Sequence, residues 1–248
     1  MAGANGAAGR AGGSGTVEVW SHRGRVDSSP LFVDNTTGAV ANALSSGADG
    51  VEIDTWLSAD GVFVMTHDRD TPAGPVDRCT EAALDQFDRL DDVFAAVEGA
   101  TLNIELKVAP DSSPAEQARL GGELASYLDR YFIQSGAERT AVVVSSFSPV
   151  ATREMLSAGL DVRMGHLCVD VPASREMEDL ARYGYWGIHF LATADCLDRV
   201  STIRAAGLAA VAWTVNDLEL AGRLVEAGVD VVITDTPVAV QGVVSPVA

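Results

Sequence analysis

The sequence has few aromatic residues, few basic residues and no long apolar run. Aromatic side chains make up 6% of its 248 residues, and 17 Lys and Arg stand against 35 Asp and Glu, for a net charge of −18. A membrane helix needs roughly 20 consecutive apolar residues, so we expect no stable membrane insertion. An acidic surface without a basic patch repels nucleic acid, and we expect no nucleic-acid partner. The oligomeric state does not follow from the composition.

Cysteine is also scarce. Cys79, Cys168 and Cys196 share no metal-binding spacing, which is typical of free thiols in a reducing compartment. Residues 1–15, MAGANGAAGRAGGSG, lack the apolar centre of a secretory signal. We interpret 1–15 as a disordered Gly/Ala-rich tail, 16–248 as one domain, and the cytoplasm as the compartment.

Short apolar runs rich in β-branched residues alternate with helical patterns. The predicted strands are 16–21, 50–54, 101–106, 140–147, 161–168, 186–191, 209–215 and 229–234. The predicted helices include 35–47, 114–132, 148–159, 174–184 and 218–228. Continuously apolar strands are typical of a parallel sheet covered on both faces. The pattern predicts an α/β fold, a (β/α)8 TIM-like barrel with a short inserted strand at 61–68 after strand 2; a doubly wound sheet is the alternative.

Two carboxylates inside one predicted strand are the first sign of a site. Glu52 and Asp54 are two residues apart, so they share a face of the strand and need a neutralising partner. Barrel enzymes place their active sites at the carboxyl ends of the strands, and Glu105 falls at that end of the third strand. These three oxygen donors predict a site for a hard divalent cation, Mg²⁺ or Ca²⁺. Exposed edge-strand carboxylates are the alternative.

Two histidines and two cations reach the same rim. Arg23 and Lys107 would bind an anionic group, and His22 and His67 are suited to proton transfer on opposite sides of a displacement. Together with the carboxylates they are the parts of a metal-assisted phosphodiester hydrolase acting on a small molecule. A structural ion pair at Lys107 and structural histidines are the alternatives.

Other side chains near the strand ends have weaker interpretations. Trp213 either stacks against the substrate or packs in the barrel. Residues 145–147, SSF, are candidates for lining the pocket. We expect His166 and His189 to be structural or barrel-mouth residues outside the catalytic set.

Several separated motifs resemble the glycerophosphodiester phosphodiesterases. They are HRG (22–24), NT (35–36), GADGVEIDTWLSADGVFVMTHD (47–68), LNIELK (102–107), SSF (145–147), AWTVND (212–217) and ITDTP (233–237). The resemblance implies a TIM-like barrel that uses a divalent cation to hydrolyse glycerophosphodiesters to glycerol 3-phosphate and an alcohol. It also implies a cyclic phosphate, formed by the glycerol hydroxyl and then opened by water.

The same resemblance implies a role for each matching side chain. His22 and His67 match the general acid and base, in an order that the sequence leaves open. Glu52, Asp54 and Glu105 match the metal ligands. Arg23 and Lys107 match the cations that contact phosphate.

The chain departs from the family pattern at two places. Val33-Asp34-Asn35-Thr36 replaces Pro-Glu-Asn-Thr, and the segment after His67-Asp68 lacks Leu-x-Arg-Thr-Thr and is short. The second departure lies in an insertion over the glycerol side of the barrel, so it bears on the substrate. A lysophospholipid or sugar phosphodiester, a non-catalytic phosphodiester-binding barrel and a sugar-phosphate isomerase using Lys107 stay open as alternatives.

Overall fold

Parallel strands form the centre of the molecule. The computed structural model describes residues 16–27, 32–97 and 99–245, so the predicted tail at 1–15 lies outside the described residues. The strands are β1 (Glu18–His22), β2 (Gly50–Leu57), β3 (Phe63–Met65), β4 (Asp70–Thr71), β5 (Gly74–Pro75), β6 (Thr101–Leu106), β7 (Val142–Ser146), β8 (Arg163–Cys168), β9 (Gly187–Leu191), β10 (Ala209–Trp213) and β11 (Val231–Thr234). All eight predicted barrel strands are present, and their ends differ from the prediction by a few residues.

The sheet closes on itself. Its strand order is β1-β11-β10-β9-β8-β7-β6-β2-β3, and β1 also pairs with β2, so eight of the described strands form a parallel barrel. Closure confirms the predicted TIM-like barrel and is incompatible with a doubly wound sheet. The register sets His22 beside Glu52 and Asp54 beside Glu105, which brings the carboxyl ends of three strands together.

Helices cover the outside of the barrel. They are α1 (Thr37–Ser45), α2 (Leu90–Phe94), α3 (Pro114–Ser135), α4 (Pro149–Ser157), α5 (Ser174–Tyr183), α6 (Leu197–Ala205), α7 (Leu218–Glu226) and α8 (Pro237–Val244). The helix α3 shows why its ends are where they are: Ser113 and Glu116 form a capping box, and Gly136 follows with φ 68°. The helices α2, α6 and α8 were not located individually from the sequence: α2 is one short turn, and the apolar residues of α6 and α8 show no clear helical period.

Two apolar layers follow from the alternation of side chains along each strand. The outward residues, among them Val51, Ile53 and Ile104, pack under the helices in the main core. The inward layer packs Trp20 with Val143, Val211, Val231 and Ile233, and Trp186 packs against it. This inner layer fills the barrel, so polar side chains further along the same strands gather at its carboxyl end.

The predicted insertion after strand 2 is present and larger than one strand. β3 pairs antiparallel to β2, and β4 and β5 form a small hairpin. An apolar cluster joins the insertion residues Val64, Val76 and Leu84 to Trp56 of β2 and to Ala109 after β6. No helix among the described residues has the length and apolarity that crossing a membrane requires. The single domain over 16–248 stays a prediction.

Candidate active site

Three carboxylates meet where β2 and β6 end. One oxygen from each of Glu52, Asp54 and Glu105 lies within 4.8 Å of the others. All three are buried, with exposed fractions of 4%, 1% and 9%. The exposed edge-strand alternative is therefore wrong for this pair of strands. Three acidic groups held so close and so far from water can hold a cation.

Burial and mutual repulsion perturb two of these carboxyls. The pKa of Glu52 is raised well above its ordinary value, first by burial and then by the charges of Asp54 and Glu105. Burial also raises the pKa of Glu105 to about 7, against the opposing charge of Lys107. For Asp54 burial acts in the same direction, but Lys107 and Arg23 outweigh it and lower the pKa. The cluster therefore favours an added positive charge.

Two cations already lie against the cluster. Lys107 Nζ is 2.9 Å from Asp54 Oδ1 and 2.5 Å from Glu105 Oε1. Arg23 Nε is 3.1 Å from Asp54 Oδ2. These ion pairs involve Asp54 and Glu105. Glu52 accepts a backbone hydrogen bond at 3.2 Å from Arg23 N and lies 3.9 Å from His22 Nε2. Three carboxylates against two cations leave a net negative donor set, which fits a divalent cation.

Local backbone geometry holds the cluster in place. Asn35 donates through Nδ2 to Asp54 Oδ2 at 3.0 Å and accepts from the Asp54 N–H at 2.8 Å. Asn35 and Arg23 both adopt left-handed backbone angles, φ 57° and φ 56°. Such conformations cost energy in residues other than glycine and gather at functional sites. Gly24 follows with φ 75°, where an added Cβ would lie 2.8 Å from the Ala39 carbonyl carbon.

His22 is oriented by a carboxylate. Its Nδ1 lies 2.7 Å from Asp235 Oδ1, and its Nε2 points toward Glu52. Asn216 donates to Asp235 Oδ2 at 2.7 Å and accepts from the Asp235 N–H at 2.9 Å. Burial opposes ionisation of Asp235, but the hydrogen bonds from His22 and Asn216 prevail and hold its pKa at about 2. An ionised carboxylate only accepts, so Nδ1 of His22 donates and Nε2 is left to exchange protons.

Among the described residues, the His67 side chain makes no hydrogen bond or ion pair with the three carboxylates. Its side chain is 44% exposed, and its Nδ1 lies 2.8 Å from Asp68 Oδ1. The indole of Trp56 donates to the His67 carbonyl at 3.2 Å, which fixes the backbone after β3. His67 thus pairs with the neighbouring carboxylate of Asp68, as His22 pairs with Asp235, and its part in the site stays a prediction.

A cavity of about 100 Å³ opens beside the cluster. Its lining consists of His22, Arg23, Glu52, Asn103, Glu105, Lys107, Ser145, Phe147, Leu167, His189, Trp213, Thr214 and Ile233. Phe147 and Trp213 meet edge to face with ring centroids 5.9 Å apart. Ser145 and Phe147 line it as expected, whereas Ser146 bonds to the Leu106 carbonyl. His189 lines it too, while the ring of His166 faces Tyr185.

Two functional candidates were not predicted from the sequence. Asp235 follows the last strand directly, and its position at the carboxyl end was the available signal. Asn103 lies two residues before Glu105 on β6 and so shares its inward face. Neither residue type stands out without knowing which histidine or cavity it faces.

The fold and the site together define a TIM-barrel enzyme that joins buried carboxylates, cations and a carboxylate-held histidine at one rim. The sequence model of the Glycerophosphoryl diester phosphodiesterase family matches residues 22–239. The chain belongs to that family and is a phosphoric diester hydrolase.

Similar proteins align with this chain over nearly its whole length. A glycerophosphodiester phosphodiesterase of Caldanaerobacter subterraneus subsp. tengcongensis is 26% identical over 239 residues, covering 88% of this chain and 94% of that protein. A crystal structure of a glycerophosphodiester phosphodiesterase from Parabacteroides distasonis superposes with a TM-score of 0.81 at 22% identity, covering 94% and 98% of the two chains. An Oleispira antarctica phosphodiesterase, solved in complex with the product sn-glycerol-3-phosphate, has a TM-score of 0.74 at 26% identity and coverage of 92% and 96%.

Proposed function

We propose that this enzyme hydrolyses a glycerophosphodiester to glycerol 3-phosphate and an alcohol with the help of a divalent cation. The observation that carries the proposal is the cluster of three buried carboxylates, flanked by Lys107 and Arg23 and facing the free nitrogen of His22. The Oleispira antarctica relative, bound to sn-glycerol-3-phosphate, supports the choice of product.

Glu52, Asp54 and Glu105 would hold the cation. Their donors are all oxygens, which suits Mg²⁺ or Ca²⁺ better than a softer metal. Such an ion polarises a phosphoryl oxygen and offsets the charge that develops on it. Glu52 and Glu105 fit this role, because a bound cation would offset both the burial and the mutual repulsion that raise their pKa values.

Arg23 and Lys107 would bind the phosphate. The Arg23 guanidinium approaches Asp54 through Nε at 3.1 Å, and its terminal N–H groups would form the planar contact that a phosphate accepts. Lys107 lines the same cavity and contributes a compact positive charge. Both side chains are held by ion pairs, so little conformational freedom is lost when substrate binds.

Proton transfer falls to His22 and His67. The glycerol hydroxyl beside the phosphate attacks phosphorus as one histidine removes its proton, and the other protonates the departing alcohol oxygen. Water then opens the cyclic phosphate with the two roles reversed. Asp235 keeps Nε2 of His22 available, and Asp68 stands in the same relation to His67. The order of the two histidines stays open.

The insertion bears on substrate choice less directly than the sequence suggested. None of the residues that line the cavity in the described part of the chain comes from 61–100. The small cavity favours a glycerol group, and an acyl chain would have to lie outside it. Water-soluble glycerophosphodiesters are therefore proposed ahead of lysophospholipids.

The test is release of the alcohol, choline or ethanolamine, from glycerophosphocholine, glycerophosphoethanolamine and lysophosphatidylcholine, after EDTA treatment and with Mg²⁺ or Ca²⁺ restored. We expect turnover of the first two, lost with EDTA and regained with one cation. Undiminished turnover in EDTA would overturn the cation, and turnover of the lysolipid alone would overturn the substrate. His22→Ala should abolish activity, while His166→Ala, the same change at a histidine facing away from the cavity, should not.

A further inference from the structure

The deep side of the cavity carries polar atoms without protein partners. Both ring nitrogens of His189 and the Oδ1 of Asn103 are buried and have no hydrogen-bond partner among the described residues. His189 has an exposed fraction of 0% and Asn103 of 1%, and both line the cavity. The amide nitrogen of Asn103 is engaged, because it donates to Ser145 Oγ at 3.2 Å. Such groups destabilise the fold when nothing satisfies them.

The barrel holds the His189 ring rigidly in this position. The ring lies over Gly165, where a Cβ would be 2.4 Å from Nε2 of the imidazole. The indole rings of Trp20 and Trp186 approach it at 6.4 Å and 6.1 Å between centroids. The two indole rings and the glycine leave the imidazole few alternative orientations. Packing alone would be served by an apolar side chain, so the polar ring calls for another explanation.

The polar atoms of His189 and Asn103 are suited to binding a hydroxyl group. Burial, with the charges of His166 and Arg163, lowers the pKa of His189 to about 3, so the ring is neutral and offers one donor and one acceptor. Asn103 Oδ1 adds an acceptor. A hydroxyl group both donates and accepts, whereas a phosphate would find no positive charge on these two side chains. An alkyl group would leave every one of these atoms unsatisfied.

The depth of these two side chains in the barrel suits a polyol whose phosphate is bound at the rim. Asn103 lies two residues before Glu105 on the inward face of β6, which places it roughly 7 Å deeper in the barrel. A substrate whose phosphate lies at the rim would direct a three-carbon chain toward this depth. Phe147 and Trp213 flank the same cavity and can cover the carbon atoms.

We propose that His189 and Asn103 form a subsite for the terminal hydroxyl of the glycerol group, the one that does not attack phosphorus. This deepens the proposed function and rests on it. The subsite selects phosphodiesters of polyols over those of simple diols. Sites built to hydrogen-bond a hydroxyl reject analogues that lack it, because their own polar groups are left unpaired.

The test compares two product ligands that differ by one hydroxyl. Glycerol 3-phosphate and propane-1,2-diol 1-phosphate are titrated calorimetrically into wild-type protein, His189→Phe and Asn103→Ala, all with Mg²⁺. Wild type should prefer the glycerol compound by about 10- to 100-fold, and each variant should lose most of that preference by weakening glycerol phosphate alone. His189→Gln, which keeps a donor and an acceptor, should retain part of it. His166→Phe is the matched control and should leave it unchanged.

Choline release from glycerophosphocholine and from its 2-hydroxypropyl analogue separates this proposal from the proposed function. Preference in binding without turnover of either diester would overturn the hydrolytic proposal and support the subsite. Turnover of both diesters at similar kcat/KM, with no difference in binding, would overturn the proposed hydroxyl subsite. It would mean that His189 and Asn103 contact only water. A preference that survives in both variants, or binding of neither ligand, would also overturn it. Circular dichroism of each variant checks the fold.

Discussion

Glu105 makes the stability of the metal-free protein depend on pH. Burial raises its pKa from an ordinary value of 4.5 to about 7. Between those two values the folded protein keeps a proton that the unfolded chain has released. The free energy of unfolding therefore falls as the pH rises from about 4.5 through about 7. This loss of stability is absent at pH values below the pKa of Glu105 in the unfolded chain. It is complete at pH values above the pKa of Glu105 in the folded protein.

The size of the effect follows from the shift. The rise from 4.5 to about 7 corresponds to roughly 3 kcal/mol, at about 1.36 kcal/mol for each pKa unit. Glu105→Gln keeps the shape of the side chain and removes the titration. We expect the metal-free variant to match wild type near pH 4.5 and to exceed it by up to roughly 3 kcal/mol near pH 8. Because Asp54 still pairs with Lys107, the variant leaves that cation partnered.

Urea unfolding in EDTA, followed by circular dichroism at about pH 5 and about pH 8, measures this difference. Adding Mg²⁺ at about 100 times its dissociation constant should stabilise wild type by roughly 2.7 kcal/mol and the variant by much less. If both proteins lost the same stability between the two pH values, Glu105 would not carry the buried charge. Equal stabilisation by Mg²⁺ would remove Glu105 from the ligand set.

Four further substitutions test other parts of the barrel mouth and its interior. His22→Ala and His67→Ala should each lower kcat by about 10²- to 10⁴-fold with normal folding, and near-wild-type turnover of either would refute its role in proton transfer. Asp235→Asn should lower kcat with little change in KM and alter the pH–rate profile, since it removes the charge beside Nδ1 of His22; an unchanged profile would refute a positioning role. Gly165→Ala should destabilise by about 1–3 kcal/mol in thermal unfolding, because its methyl group would collide with the His189 ring; an unchanged Tm would contradict that packing.

The linear pattern was sufficient for the α/β class. Short apolar runs such as VVV in β7 and VVIT in β11 are typical of strands buried on both faces, and their number and spacing favour a barrel, but closure of the sheet came from the structure. The pairs Glu52 with Asp54 and Glu105 with Lys107 lie two residues apart, so their shared faces follow from strand geometry alone. This local regularity is why the acidic cluster could be predicted from the order of residues along the chain.

Contacts between distant segments had to come from the tertiary structure. Asp235 lies beside His22, 213 residues away in sequence, only because the last strand closes against the first. His189 looks like a structural histidine until closure places it over Gly165, in the cavity that Asn103 also lines. Strand periodicity determines which face a side chain occupies, whereas barrel closure and register determine what that face meets. The carboxylates and cations of this site were therefore set by the sequence, and their partners by the closed barrel.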